Sequence, residues 1–264
     1  MVNRLPDQPP QSERDDAAGL WTGLPHAPAL LQDRLASGRI NRRQAARLRL
    51  WIQEGVVTLE ETIGRDRLTP AALDLERGFA GAYPDLLFEC PVLGPDRTRW
   101  VPEIAPHPAG ALDIHWMSRA VRDLILAPEV TTFLGLLFDP PFLLMHSRGF
   151  LRDTMATPAT GQRPFVTVWI SLEDPGEAAG ILLVHPGTHH EAATGILPRP
   201  LPPGLGSVTI CHPDLAYSHT PPSPPDTRLG IMAQLGPAAP DVRQYRHGRH
   251  AFSTEIYTSL EPLD

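Results

Sequence analysis

The segment SHTPPSPPDTRLGIMAQL carries the two side chains best suited to chemistry: His219 and, nine residues further on, Arg228. An imidazole can ligate a metal or carry a proton. A guanidinium can grip a carboxylate through two parallel hydrogen bonds. The plainer alternative is a loop histidine and an arginine in a surface ion pair. The functional reading is preferred for Arg228, and for His219 the two readings balance. A second group precedes these. Phe142–Phe150 alternates like a strand, so Leu144, His146 and Arg148 fall on one face. His146 most simply hydrogen-bonds locally on that pleat, and Arg148 is a candidate for an anionic cofactor. Asp153 and Tyr217 complete a set of candidate proton carriers with His146 and His219. His185 and the pair His189-His190 flank a Pro-Gly turn, where packing and turn hydrogen bonds account for them; their spacing fits no zinc pattern.

These side chains need elements to hold them. Ala27–Ser37 suits a short helix stopped by Gly38. Asn41 can cap a second, with Ala45, Leu48, Trp51 and Ile52 on one face and Gly55 as its end. Val56–Leu59 reads as a short strand. Thr69-Pro70 reads as a cap followed by a first-turn proline, opening a helix to about Ala82. Ala127-Pro128 opens another, with the stripe Val130, Phe133, Leu134 and Leu137. After Asp139 the pattern changes. Phe142–Phe150, Phe165–Leu172, Ile181–Val184, Ser207–His212 and Leu229–Leu235 are short apolar or alternating runs separated by Pro and Gly. They predict antiparallel strands in a sandwich or barrel, with Trp169 in the core and the proline cluster Pro198–Pro203 as a surface loop. Helices first and strands second make an α+β arrangement.

In order, Phe150, Trp169, Glu173-Asp174 and Pro186-Gly187-Thr188-His189 resemble the phytanoyl-CoA dioxygenase family of non-haem Fe(II)/2-oxoglutarate oxygenases. There a strand ending in Phe is followed by His-x-Asp, a strand carrying Trp, an acidic turn and Pro-Gly-Ser-His. Trp51–Leu59 is similar to the family's opening helix, glycine and strand. His115–Leu124 and Pro128–Phe138 are similar to its paired central helices. The resemblance covers the chain beyond the first forty residues. It implies a double-stranded β-helix (jelly-roll or cupin-like) spanning about Phe142–Leu235, with the N-terminal helices packed outside. It also implies Fe(II), 2-oxoglutarate and O2, with two histidines and one carboxylate on one face of the iron. By resemblance His219 is the distal histidine, and Arg228 holds the far carboxylate of 2-oxoglutarate.

The chain departs from the family at His-x-Asp. Leu151-Arg152-Asp153 keeps the carboxylate and has Leu in place of His. The alternative register, Ala159-Thr160-Gly161, offers neither ligand. His219 and Asp153 are the metal donors that remain, and His146 is the imidazole that could join them. Three functions stay open. A degenerate oxygenase without iron would catalyse a non-oxidative step on a small lipid-like or natural-product molecule. An iron oxygenase with an unusual ligand set would hydroxylate one. A binding subunit would support a homologous enzyme or form a homo-oligomer.

Composition sets the remaining bounds. At 264 residues the chain can bury one sizeable core, so residues 27–264 are expected to form one domain after a polar, proline-rich, loose segment 1–26. A net charge of −7 carries no nucleic-acid footprint. Two cysteines make no disulfide framework and suit a reducing cytoplasm. Neither a signal peptide nor a membrane span is read.

Overall fold

Asn41 accepts a hydrogen bond from the Gln44 amide, and the Gln44 side chain accepts one from the Asn41 amide, both at 2.9 Å. This reciprocal pair satisfies two amide groups at the start of helix α2 (Arg42–Glu54), which follows α1 (Ala27–Ala36). Ala45, Leu48 and Trp51 form the buried side of α2, and Gly55 ends it at φ 70°, as its position predicts. The computed structural model describes residues 21, 26–60, 62–90, 92–94, 97–104, 107, 109–138, 142–150, 165–173, 182–190, 197–200, 204–219 and 229–237. Trp21 is buried, and its indole N–H donates to the Leu136 carbonyl at 2.9 Å.

Helix α3 (Arg65–Phe79) corrects one expectation. It starts a turn before Thr69-Pro70, with Gly64 as its N-cap, and Pro70 lies inside it. Leu68 is buried, so core packing draws the earlier turn into the helix. The Thr69 hydroxyl donates to the Arg65 carbonyl at 2.9 Å, beside the bond the proline cannot make. His115–Leu124 is also not one helix. A 3₁₀ turn (Ile114–Trp116) precedes α4 (Arg119–Ile125), because the Ser118 side chain accepts from the Val121 amide and restarts the helix there. Helix α5 (Pro128–Phe138) buries Val130, Phe133, Leu134 and Leu137 as the stripe predicts.

The strands pair antiparallel throughout. They are β1 (Val56–Leu59), β2 (Leu87–Glu89), β3 (Thr98–Arg99), β4 (Gly110–Leu112), β5 (Phe142–Phe150), β6 (Val166–Ser171), β7 (Leu182–Val184), β8 (Arg199–Pro200), β9 (Val208–Cys211), β10 (Tyr217–His219) and β11 (Gly230–Pro237). Among the described residues eight form one sheet in the order β1-β9-β6-β11-β5-β4-β2-β3, and three form a second in the order β10-β7-β8. All five runs read as strands after residue 140 are strands. The sequence reading missed β2, β3 and β4, of two or three residues each, which extend the large sheet beyond β5. Within the cluster read as a surface loop, Arg199 and Pro200 pair with Val184 and Leu183.

The period of two gives the large sheet two unlike faces. Val57, Val168, Ile170, Val208, Ile210, Ile231, Ala233 and Leu235 pack with the helices in one apolar core. Gly149 belongs to this face, and a Cβ there would run into the Leu75 side chain of α3. The opposite face carries Thr58, Thr209, Thr167, Trp169, Met232, His146 and Arg148, as the pairing registers require. Here Val56, Trp169 and Cys211 pack against Val184 of the small sheet and against Leu215. Trp169 therefore sits between the sheets, apart from the main core. Among the described residues no helix is long and apolar enough to cross a membrane.

Candidate functional site

A register shift in β5 aims the first candidate. Gln234 faces His146 while Leu235 faces Leu144, so Met145 is the extra residue of a bulge. The bulge breaks the alternation. Leu144 stays with the helix-packed core, whereas His146 and Arg148 point to the polar face. The expected sharing of a face thus holds for His146 and Arg148 but fails for Leu144.

His146 is held from the side. Its Nδ1 lies 2.5 Å from Asp113 Oδ1, and the two side chains are 22% and 21% exposed. A carboxylate can only accept, so Nδ1 carries the shared proton. Asp113 is itself fixed. Its φ of 51° is unusual for a residue other than glycine. Its amide donates to the Ser147 carbonyl at 2.6 Å, and Oδ1 accepts from the Ser147 amide at 3.0 Å. Burial alone would raise its carboxyl; the hydrogen bond and charge of His146, with Ser147 and His115, hold it below the usual carboxylate range. Behind it the buried Ser147 hydroxyl lies 2.5 Å from His115 Nδ1. Burial lowers the His115 ring to about 4, although Asp113 opposes the shift. His146, Asp113, Ser147 and His115 thus form one chain from the polar face into the core. Sequence reading found His146 and missed Asp113, 33 residues away, because only the β4–β5 pairing and the turn after β4 bring them together.

Arg148 lies beside this chain. Its Nη1 is 2.9 Å from Glu89 Oε2, and its guanidinium covers the α-carbon of Gly110, where a Cβ would collide with it. Burial lowers its affinity for protons, Glu89 opposes that and Arg97 adds to it; the group stays a cation. Tyr217 and His219 sit on β10, opposite Val184 and Leu182. Their side chains, with Asp153 and Arg228 entirely, lie outside the described residues. Leu229, next after Arg228, donates its amide to Glu173 Oε2 at 3.3 Å and accepts from the Leu172 amide, so the chain re-enters at the end of β6.

His189 and His190 make the turn hydrogen bonds expected of them. His189 and His190 each direct Nε2 to the Ile52 carbonyl, at 3.2 and 2.7 Å, and their rings are 3.9 Å apart. A carbonyl only accepts, so both nitrogens donate and close the end of α2. His212 lies 5.0 Å from the His189 ring and accepts from the Asp214 amide through Nδ1. Burial first and neighbouring histidines second lower His189 to about 4 and His212 to about 3. Cys90 and Cys211 are buried and free, and burial pushes the Cys211 thiol up to about 12.

Among the described residues no group of three or more His, Cys, Asp or Glu side chains could hold a metal ion. His146 Nδ1 is committed to Asp113. The further donors that the sequence offers, Asp153 and the His219 side chain, lie outside the described residues.

This mixed helix and antiparallel-sheet fold is similar to that of solved non-haem α-ketoglutarate-dependent enzymes. No family model and no curated protein sequence matches the chain. Solved structures do. The α-ketoglutarate-dependent epimerase SnoN from nogalamycin biosynthesis is 19% identical, with 80% of this chain and 84% of SnoN covered and a TM-score of 0.58. The carbocyclase SnoK from the same biosynthesis is 14% identical, with coverages of 76% and 86% and a TM-score of 0.58. EctD from S. alaskensis, solved with 2-oxoglutarate and 5-hydroxyectoine, is 15% identical, with coverages of 75% and 76% and a TM-score of 0.58. SnoN has also been solved with Fe3+ and α-ketoglutarate, and EctD with Fe.

Proposed function

We propose that the two sheets are the walls of a double-stranded β-helix of the phytanoyl-CoA dioxygenase type. Between them lies a pocket for a small lipid-like or natural-product molecule, and the chain is a degenerate oxygenase that catalyses a non-oxidative step. The carrying observation is the polar face of the large sheet, which carries His146 with its partner Asp113 and, on neighbouring strands, Trp169, Thr167 and Thr209. The missing His of His-x-Asp supports the reading from the sequence. Epimerisation and carbocycle formation are named for two structures of this fold, which supports a rearranged natural product as the substrate class. Arg228 is assigned the ligand's carboxylate, and His219 and Tyr217 a share in proton transfer. Residues 27–264 act as one domain, in the cytoplasm, without nucleic acid or membrane.

A second reading is favoured by the iron and 2-oxoglutarate of the neighbours: an active oxygenase built on His219 and Asp153 with an unusual third donor. In a third, the chain supports a homologous partner without turnover of its own. Anaerobic titration with Fe(II), with and without 2-oxoglutarate, separates the first two. The expected result is iron well below one equivalent and turnover that survives a chelator. Stoichiometric iron with a visible charge-transfer band, abolished by His219→Ala, makes the chain an oxygenase. Co-purification with a homologue and no turnover alone makes it a partner subunit.

A further inference from the structure

We propose that the outer face of helix α2 is a docking surface for a partner protein that presents an acidic amphipathic helix. This role is independent of the acid–base reading above.

Six arginines and no Asp or Glu lie between Asp33 and Glu54, in a chain whose net charge is −7. Arg34 is engaged: its guanidinium lies over the Trp21 ring, 4.7 Å from the centroid. Arg39, Arg42, Arg43 and Arg49 are exposed and Arg47 is half-buried, and among the described residues none of these five forms an ion pair. Elsewhere Arg67, Arg77, Arg97, Arg99, Arg119 and Arg148 each lie within 3.4 Å of an Asp or Glu oxygen. The accumulation on α2 works against the helix itself. Arg42 and Arg43 stand in its first turn, which has no acidic residue, so they meet the positive end of the helix dipole. Arg43 and Arg47 are one turn apart and repel each other. Burial first and the Arg43 charge second make Arg47 a weaker base. None of this helps α2 to fold, whereas an anionic partner turns every one of these charges to use.

The helical period arranges the face. Ala45, Leu48 and Trp51 turn inward and are buried. Ala46, Leu50 and Gln53 run along the middle of the outer side, with Leu50 38% exposed. Arg42 and Arg49 border this strip on one side, and Arg43 and Arg47 border it on the other. A narrow apolar strip between two rows of one charge suits a second helix, with apolar residues on its seam and Asp or Glu at both borders. Other anionic occupants fit less well. A nucleic acid or an anionic bilayer is an extended polyanion and meets the net negative charge of the chain. Helix α2 has no exposed aromatic ring on which bases could stack. The side of α2 apolar enough to enter a bilayer, with Leu48 and Trp51, is buried in the core. A second copy docked face to face would set arginine against arginine.

The probe is a fluorescein-labelled synthetic helix of three heptads, with Leu and Ala on its seam and Glu on both borders. It is titrated with the full-length protein at physiological ionic strength and read by fluorescence anisotropy. Saturable binding is expected, weakened about tenfold or more in Arg42→Gln/Arg43→Gln/Arg47→Gln/Arg49→Gln. The thermal midpoint of that variant should equal or exceed that of wild type, because the mutual repulsion is relieved. The charge-reversed Arg43→Glu/Arg47→Glu should lose the Glu-bordered helix and bind the same helix with Lys at its borders. No binding by wild type, or equal binding by the Gln variant, overturns the proposal. Equal binding of a peptide of the same composition in scrambled order also overturns it, since only unspecific attraction of charge is then left. Tighter binding of a single-stranded DNA oligomer, or of vesicles of phosphatidylglycerol and phosphatidylcholine, overturns it in favour of a nucleic acid or a membrane. Binding that appears only in Glu13→Gln/Asp15→Asn/Asp16→Asn overturns it in favour of the chain's own acidic run. A dimer that the Gln substitutions dissociate overturns it in favour of a second copy.

Discussion

Each buried histidine sets a proton balance between folded and unfolded chain. His115 is 1% exposed, and its folded form takes up a proton only near pH 4. In the unfolded chain the same ring protonates near pH 6.5. The unfolded state therefore binds more protons between these values. The contribution to stability is complete above about pH 6.5 and is lost as the pH falls towards 4. Asp113, whose carboxyl is lowered, acts in the same direction at still lower pH: its contribution is present above its unfolded value and lost as the pH falls through its folded one. Urea denaturation at pH 7 and pH 4.5 should show a loss of roughly 2–3 kcal/mol from His115, with His189 and His212 adding to it. The loss should shrink in His115→Gln. Equal midpoints at the two pH values would show that His115 is not held neutral by the fold.

Helix α2 shows how far elements can be read from local chemistry. The Asn41 cap, the apolar stripe and Gly55 are all visible in the sequence, and all three perform as read. Asn41→Ala removes the side-chain acceptor of the Gln44 amide, leaving the backbone half of the cap, and should cost about 1 kcal/mol by chemical denaturation. Gly55→Ala should cost more, roughly 2 kcal/mol. Its φ of 70° disfavours a Cβ, and the His189 ring occupies the space that the Cβ needs. A Gly55→Ala variant as stable as wild type would mean that the histidine turn does not seat on the end of α2. What could not be read is equally specific. Pro70 marks no helix start, because the buried Leu68 decides where the helix begins. Strands β2, β3 and β4 are too short to show a period. The bulge at Met145 leaves no local signal, so the sequence places Leu144 and His146 together although the fold separates them. Asp113 looks like any loop aspartate until the strand pairing brings it to His146.

At the scale of the whole molecule, the shift from helical to strand patterning near residue 140 does show that helices cover strands. The sheet order is another matter. Val56 pairs with Cys211, and Gly110 with Phe150, so the neighbours that complete the large sheet lie far apart in sequence. The two sheets are also unequal. Strands β6 and β11 lie mid-sheet, and their Val168, Ile170, Ile231 and Ala233 belong to the main core. The small sheet has three strands of two or three residues, joined to the large one by a minor cluster around Val184. Amide exchange should follow this inequality. The central amides of β6 and β11 should open only with global unfolding, on the order of 5–15 kcal/mol. The amides of β7 and β10 should exchange through local opening of lower free energy. In the proposed pocket, a small sheet that opens by itself would give an organic molecule a way in without disturbing the His146–Asp113 chain, which is built on the large-sheet side. Hydrogen–deuterium exchange with mass spectrometry checks this directly. Peptides covering Leu182–Val184 that exchange as slowly as those covering Val166–Ser171 would make the two sheets one cooperative unit and remove the small sheet as the movable wall.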